Sequence, residues 1–111
     1  MSRYGFDLDG TLDVPSIAQL ANDLYDAGHE IYIVTGGFGD HGEWTISERE
    51  KKLARLGVKY TEIIRCLKPS FEEIGKEKGR ICKERKISLL FDDSETYIQQ
   101  SKGAVQCLKV I

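Results

Sequence analysis

Phe6-Asp7-Leu8-Asp9-Gly10-Thr11-Leu12 places two carboxylates two residues apart, at the end of a short strand candidate over residues 3–8. A second acidic pair, Asp92-Asp93, follows another apolar run, Ile87-Ser88-Leu89-Leu90-Phe91. Carboxylates gathered at strand ends repel one another, and a small protein bears that cost when a cation or a reaction uses them.

Between these runs the pattern alternates. Pro15 suits the first turn of a helix extending to about residue 27, with Leu20, Ala21, Leu24 and Tyr25 as its apolar stripe and Gly28 as its stop. Glu30-Ile31-Tyr32-Ile33-Val34 is rich in β-branched and aromatic residues and reads as a strand ending at Thr35-Gly36-Gly37. Residues 36–44 read as a loop with four glycines. Ser47 then caps a helix over 48–56, with Glu50 at its third position and Gly57 closing it. A weaker strand covers 60–64, and Lys68-Pro69-Ser70 turns the chain. The helical pattern over 71–85 contains Gly75 and Gly79, which predicts a helix that splits or starts late. A strong strand at 87–91, a helix at 95–101 stopped by Gly103, and a last strand at 104–110 complete the order.

This β-α-β-α-β-α-β-α-β order predicts an α/β fold: a doubly wound, mainly five-stranded parallel Rossmann-like sheet with helices on both faces, in one domain over residues 1–111. Ligands of such folds lie beyond the carboxyl ends of the strands. The groups expected there are Asp7, Asp9, Thr35, Asp92 and Asp93.

Composition narrows the chemistry. The chain is 41% hydrophobic, enough for one core, and its formal net charge of −2 gives no reason for nucleic-acid binding by bulk charge. Charge is uneven, however: residues 1–67 carry 11 acidic and 7 basic groups, and residues 68–86 carry 4 acidic and 7 basic. Three cysteines, Cys66, Cys82 and Cys107, have neither disulfide-framework nor zinc spacing, and His29 and His41 are too few for a histidine-rich metal site. There is no signal-peptide pattern and no apolar stretch of about 18 residues, so a soluble cytoplasmic protein without a membrane partner is expected.

Clustered carboxylates suit a hard divalent cation with oxygen ligands, and Mg²⁺ is the natural choice in a site that also holds phosphate. An aspartate beside such an ion can attack phosphorus. Thr35 and the amides of Gly36 and Gly37 can hold phosphoryl oxygens, a lysine can balance developing charge, and a second carboxyl can protonate the leaving oxygen and then activate water. Singly, each motif has a plainer reading, as a turn at Asp9-Gly10 or a helix cap at Asp93 or Ser94. Their joint occurrence after strands favours the site.

At these residues the chain resembles the haloacid dehalogenase-like superfamily, whose members are mostly Mg²⁺-dependent phosphatases working through an aspartyl-phosphate. Asp7-Leu8-Asp9-Gly10-Thr11 is similar to the first motif, Ile33-Val34-Thr35-Gly36 to the second, and Leu90-Phe91-Asp92-Asp93-Ser94 to the acidic fourth. The resemblance implies Asp7 as nucleophile and metal ligand, and Asp9 as general acid/base with its backbone carbonyl on Mg²⁺. It implies Thr35 as phosphoryl ligand, and Asp92 and Asp93 as metal ligands. For the third motif, a lysine, Lys78 and Lys68 compete, with a slight preference for Lys78; Lys76 and Lys83 read as solvent-facing. Asp13 reads as a local turn or surface residue.

The intervals between motifs hold no cap domain. A capless site is open, so the resemblance implies a large substrate, such as a phosphorylated protein or nucleic-acid end, or a lid lent by another subunit. The loop residues Phe38, His41 and Trp44 are candidate substitutes for a specificity element. The expected activity is phosphomonoester hydrolysis. The alternatives are a catalytically degenerate binding or regulatory module, and a receiver-like domain phosphorylated by a partner, which the early Asp-x-Asp-Gly-Thr disfavours.

Overall fold

A computed structural model describes residues 1–38 and 45–110, with Phe38 described by its backbone alone. Among the described residues, strands β1 (Arg3–Phe6), β2 (Glu30–Phe38), β3 (Glu62–Lys68), β4 (Leu89–Asp92) and β5 (Gln106–Lys109) alternate with helices α1 (Pro15–Asp26), α2 (Ile46–Leu56), α3 (Phe71–Glu84) and α4 (Glu95–Ser101). The strands form one five-stranded, all-parallel sheet in the order β3-β2-β1-β4-β5, the doubly wound α/β arrangement expected. The chain winds outward from β1 to β3 and then returns to β4. Strand order therefore reverses between β1 and β4, where such sheets open a crevice beyond their carboxyl ends.

Alternation within the strands splits the core into two layers. Phe6, Ile31, Ile33 and Phe91 pack with Ala18 and Ala21 of α1 and Leu53 of α2. Tyr32, Val34, Ile64, Cys66 and Leu90 pack on the other face with Ile74, Ile81 and Cys82 of α3. Phe6 and Phe91 stack across the β1–β4 pair at 4.4 Å. None of the helices among the described residues is long and apolar enough to cross a membrane.

Three expectations are corrected. β2 does not end at Thr35 but runs through Gly36 and Gly37 to Phe38, because β3 is longer than expected and pairs with it up to Phe38 opposite Lys68. The space that side chains would occupy there is taken: a Cβ on Gly36 would lie 2.6 Å from Ile74 Cγ2, and one on Gly37 3.1 Å from Leu67. The cap of α2 is Thr45, not Ser47; its hydroxyl accepts from Glu48 N–H at 3.2 Å, with Glu48 in the first turn. Arg49 and Leu53, four residues apart, form the buried face of α2. Finally, α3 is one unbroken helix capped by Ser70, whose hydroxyl accepts from Glu73 N–H.

The glycines of α3 serve close packing on α4 rather than a break. A Cβ on Gly75 would sit 2.7 Å from Gln100 Cβ and 3.1 Å from Tyr97 Cα, and one on Gly79 3.1 Å from Ser101 Cα. Helix propensity alone makes Gly75→Ala stabilising by about 1 kcal/mol. Overpacking against backbone reverses the sign, so the expected result in urea unfolding is a net loss of about 1–2 kcal/mol. A gain in stability would show that α3 and α4 are not in this contact.

Candidate functional site

β1 stops at Phe6, and the next residue, Asp7, is tied to the neighbouring strand by its N–H, which donates to Phe91 O at 2.9 Å. Asp92 is the last residue of β4. Both carboxylates turn to the α3 side of the sheet, where Lys78 meets them. Its Nζ lies 2.8 Å from Asp7 Oδ1 and 2.8 Å from Asp92 Oδ2, with its side chain fully buried and its ammonium 4.3 Å from the centre of the Tyr97 ring. Lys78 falls on the buried stripe of α3 made by Ile74, Ile81 and Cys82. A lysine in that stripe is tolerated because two carboxylates close over it.

One ammonium faces more than one negative charge. Oxygens of Asp7, Asp92 and the partly exposed Asp93 lie within 4.8 Å of one another. Burial, foremost, and then the nearby Asp92 push the Asp7 carboxyl up to about 7, with Lys78 pulling it back. Lys78 itself is held above its usual range: burial opposes its charge, and the two carboxylates outweigh that cost. Three converging carboxylates with a surplus of negative charge fit a hard divalent cation with oxygen ligands.

Between Asp7 and Asp13 the chain turns through Leu8–Leu12, with a kink where Asp9 (ψ 128°) and Gly10 (φ 79°) leave helical geometry. Gly10 is needed twice: its φ is left-handed, and a Cβ there would collide with the Asp93 carboxylate. Thr11 donates to Asp93 Oδ1 at 3.3 Å, and Ser94 N–H donates to Asp92 Oδ1 at 3.0 Å, so the acidic pair is oriented from both sides. The Ser94 hydroxyl caps α4 by accepting from Tyr97 N–H.

The structure thus brings together Asp7, Asp92, Asp93 and Lys78. Lys68 stands elsewhere, at the end of β3 in a depression it lines with Glu73, Lys76, Glu77 and Arg80. Thr35 is buried in β2 opposite Arg65, and no hydrogen bond joins it to the acidic cluster among the described residues. Gly36 and Gly37 are part of the strand rather than a loop, and Gly36 O accepts from Arg49 Nη2 at 2.9 Å. His41 and Trp44 lie outside the described residues, as does the Phe38 side chain.

Two residues of α2 join the site that the sequence reading passed over. Arg49 is buried with its guanidinium against the end of β2; burial, chiefly, lowers its pKa. Lys52 Nζ lies 2.6 Å from Asp9 Oδ1 and 3.1 Å from Asp13. The signal for Arg49 was its i, i+4 spacing to Leu53 on the buried stripe; for Lys52 there was none.

No family model matches the chain, and no curated protein matches it. Among solved structures it is similar to a chain of the Pnkp1/Rnl/Hen1 complex, at 16% identity and a TM-score of 0.75, over 98% of this chain and 45% of that one. A chain of the Pnkp1/Rnl/Hen1 RNA repair complex gives 16% identity and a TM-score of 0.76, over 99% of this chain and 42% of that one. A protein from the universal stress protein family of Burkholderia pseudomallei gives 16% identity and a TM-score of 0.56, over 98% and 96%. This chain therefore spans less than half the length of the repair-complex chains it matches. At this level of identity the likenesses concern the fold: a parallel α/β sheet wound on both faces.

Proposed function

We propose that the protein is a Mg²⁺-dependent phosphomonoesterase of the haloacid dehalogenase-like kind, acting through an aspartyl-phosphate on a phosphorylated nucleic-acid end. The observation that carries this reading is the buried Asp7–Lys78–Asp92 bridge with Asp93 beside it. Asp7 and Asp92, with Asp93, would hold the ion, and Asp9 would add its backbone carbonyl. Bound there, Mg²⁺ would neutralise charge on the phosphoryl group.

The residues then divide the work. An Asp7 oxygen forms a bond to phosphorus as the bond to the leaving oxygen breaks, and the Asp9 carboxyl gives that oxygen a proton. In the second half Asp9 takes a proton from water as the water attacks the aspartyl-phosphate, releasing inorganic phosphate and restoring both carboxyls. Lys78 fixes the orientation of Asp7 and balances charge on the transferring group. Thr35 would hold a phosphoryl oxygen, the role that the resemblance gives it. The nucleic-acid end as substrate draws support from the likeness to RNA repair complex chains, and from the lack of a cap between the motifs.

Wild-type protein is expected to release phosphate from an aryl phosphate and from end-phosphorylated oligonucleotides with Mg²⁺ present, and to stop on addition of EDTA. Metal-independent turnover, or none on oligonucleotides, nucleotides, sugar phosphates or aryl phosphate, would remove the ground for the reading. Turnover of small esters alone would keep the chemistry and discard the substrate.

A further inference from the structure

Asp9 is placed where the sheet no longer positions anything. The β1 ladder ends at Phe6, and the turn that follows is kinked at Asp9 and Gly10. The Asp9 side chain is 46% exposed. A bracket from α2 holds it nonetheless: Lys52 Nζ reaches Asp9 Oδ1 at 2.6 Å and Asp13 Oδ2 at 3.1 Å, while Asp13 Oδ2 accepts from Gly10 N–H at 2.8 Å. Carboxyl, kinked backbone and the following residue are thus fastened to one ammonium. Lys52 has a firm base, because Arg49 and Leu53 on either side of it in α2 are buried in the core.

The geometry points to Lys52 as the positioning residue for Asp9, acting on the expulsion of poorly activated leaving groups. The inference rests on the phosphatase reading above. An alkoxide leaving from phosphorus carries off an electron pair that must be met by a proton. The Asp9 carboxyl supplies it only if held within hydrogen-bond reach of that oxygen. A dinitrophenolate leaves as a stable anion and needs no proton. Lys52 gives Asp9 one fixed orientation through Oδ1, and after transfer it faces the carboxylate that remains. Misplacing a reacting group by about 1 Å can cost about 100-fold in rate, so in the first half-reaction the effect of losing the bracket should fall on the acid-dependent substrate.

The test compares wild type, Lys52→Met and Lys52→Arg on a phosphorylated oligonucleotide end and on dinitrophenyl phosphate, alongside thermal unfolding. In a single turnover with enzyme in excess, Lys52→Met is expected to slow release of the dephosphorylated oligonucleotide about 10- to 100-fold and release of dinitrophenolate by no more than about threefold, whereas hydrolysis of the aspartyl-phosphate, in which Asp9 takes the proton of water, slows alike after both. The unfolding midpoint should stay near wild type, and Lys52→Arg should restore most of the lost rate of oligonucleotide release. Equal slowing of leaving-group release from both esters, or none from the oligonucleotide, would overturn the role of Lys52 while leaving the phosphatase standing. Wild-type inactivity on both esters would instead sink the phosphatase reading, and this inference with it.

Discussion

Asp7→Asn is expected to abolish turnover, by at least about 1,000-fold, while leaving the protein folded. The amide has almost the shape of the carboxylate, so the packing at the end of β1 survives. What disappears is the attacking oxygen and one negative charge of the cation site. The effect on stability should be small and depends on pH in a way that can be worked out. The Asp7 carboxyl is pushed up to about 7 from an ordinary value of 3.8, chiefly by burial. The folded state therefore binds more protons than the unfolded state between those values, and wild-type stability without metal declines as pH rises through that window. Asparagine carries no charge to bury. The metal-free variant should accordingly lose less stability than wild type between pH 5 and pH 8, as read by unfolding in urea at the two pH values. A variant that retained more than a tenth of wild-type kcat would show that Asp7 is not the nucleophile.

How much of this was legible in the sequence depends on what each residue's local surroundings declare. Ile31 to Val34 announce a strand because every residue there is β-branched or aromatic. Gly36 and Gly37 announce nothing: their strand geometry is imposed by β3 on one side and by Ile74, Tyr97 and Arg49 filling the space above and below. Thr45/Glu48 and Ser47/Glu50 both fit the same capping pattern, and only the bond from Glu48 N–H to the Thr45 hydroxyl decides between them. The acidic residues were legible because Asp7, Asp92 and Asp93 each end or follow a readable strand. Lys78 was ambiguous among the lysines of its segment until its place in the Ile74, Ile81, Cys82 stripe was seen. Lys52 had no local signal at all. It is an ordinary helical lysine whose partner Asp9 lies 43 residues away, brought near by the crossover from β2 to β3.

Lys78→Met is expected to be the most destabilising substitution in the chain, at about 3–5 kcal/mol near neutral pH without metal. Methionine roughly fills the volume, so a packing defect is a minor part of the loss. The greater part is electrostatic: Asp7 and Asp92, 7% and 0% exposed in their side chains, lose the ammonium that lay 2.8 Å from each, which leaves buried negative charge uncompensated or, at Asp7, neutralised by a proton. With Lys78 gone, the group already raised in the wild type, Asp7, is raised further, because the one interaction that lowered it is removed. A carboxyl raised in the folded state makes stability fall with rising pH, beginning above its unfolded value near 4 and continuing to its folded value, here above about 7. Wild type loses stability over the same window up to about 7, so the further loss specific to Lys78→Met falls above that value, and its deficit should be larger near pH 8 than near pH 5 in urea unfolding of the metal-free protein. A divalent cation supplies the missing positive charge to the same carboxylates, so saturating Mg²⁺ should raise the unfolding midpoint of the variant by more than it raises that of wild type, without restoring turnover. A deficit that is the same at both pH values would mean that volume and not charge is what Lys78 contributes. A Mg²⁺ response no larger than that of wild type would mean that Asp7, Asp92 and Asp93 are not where the ion binds.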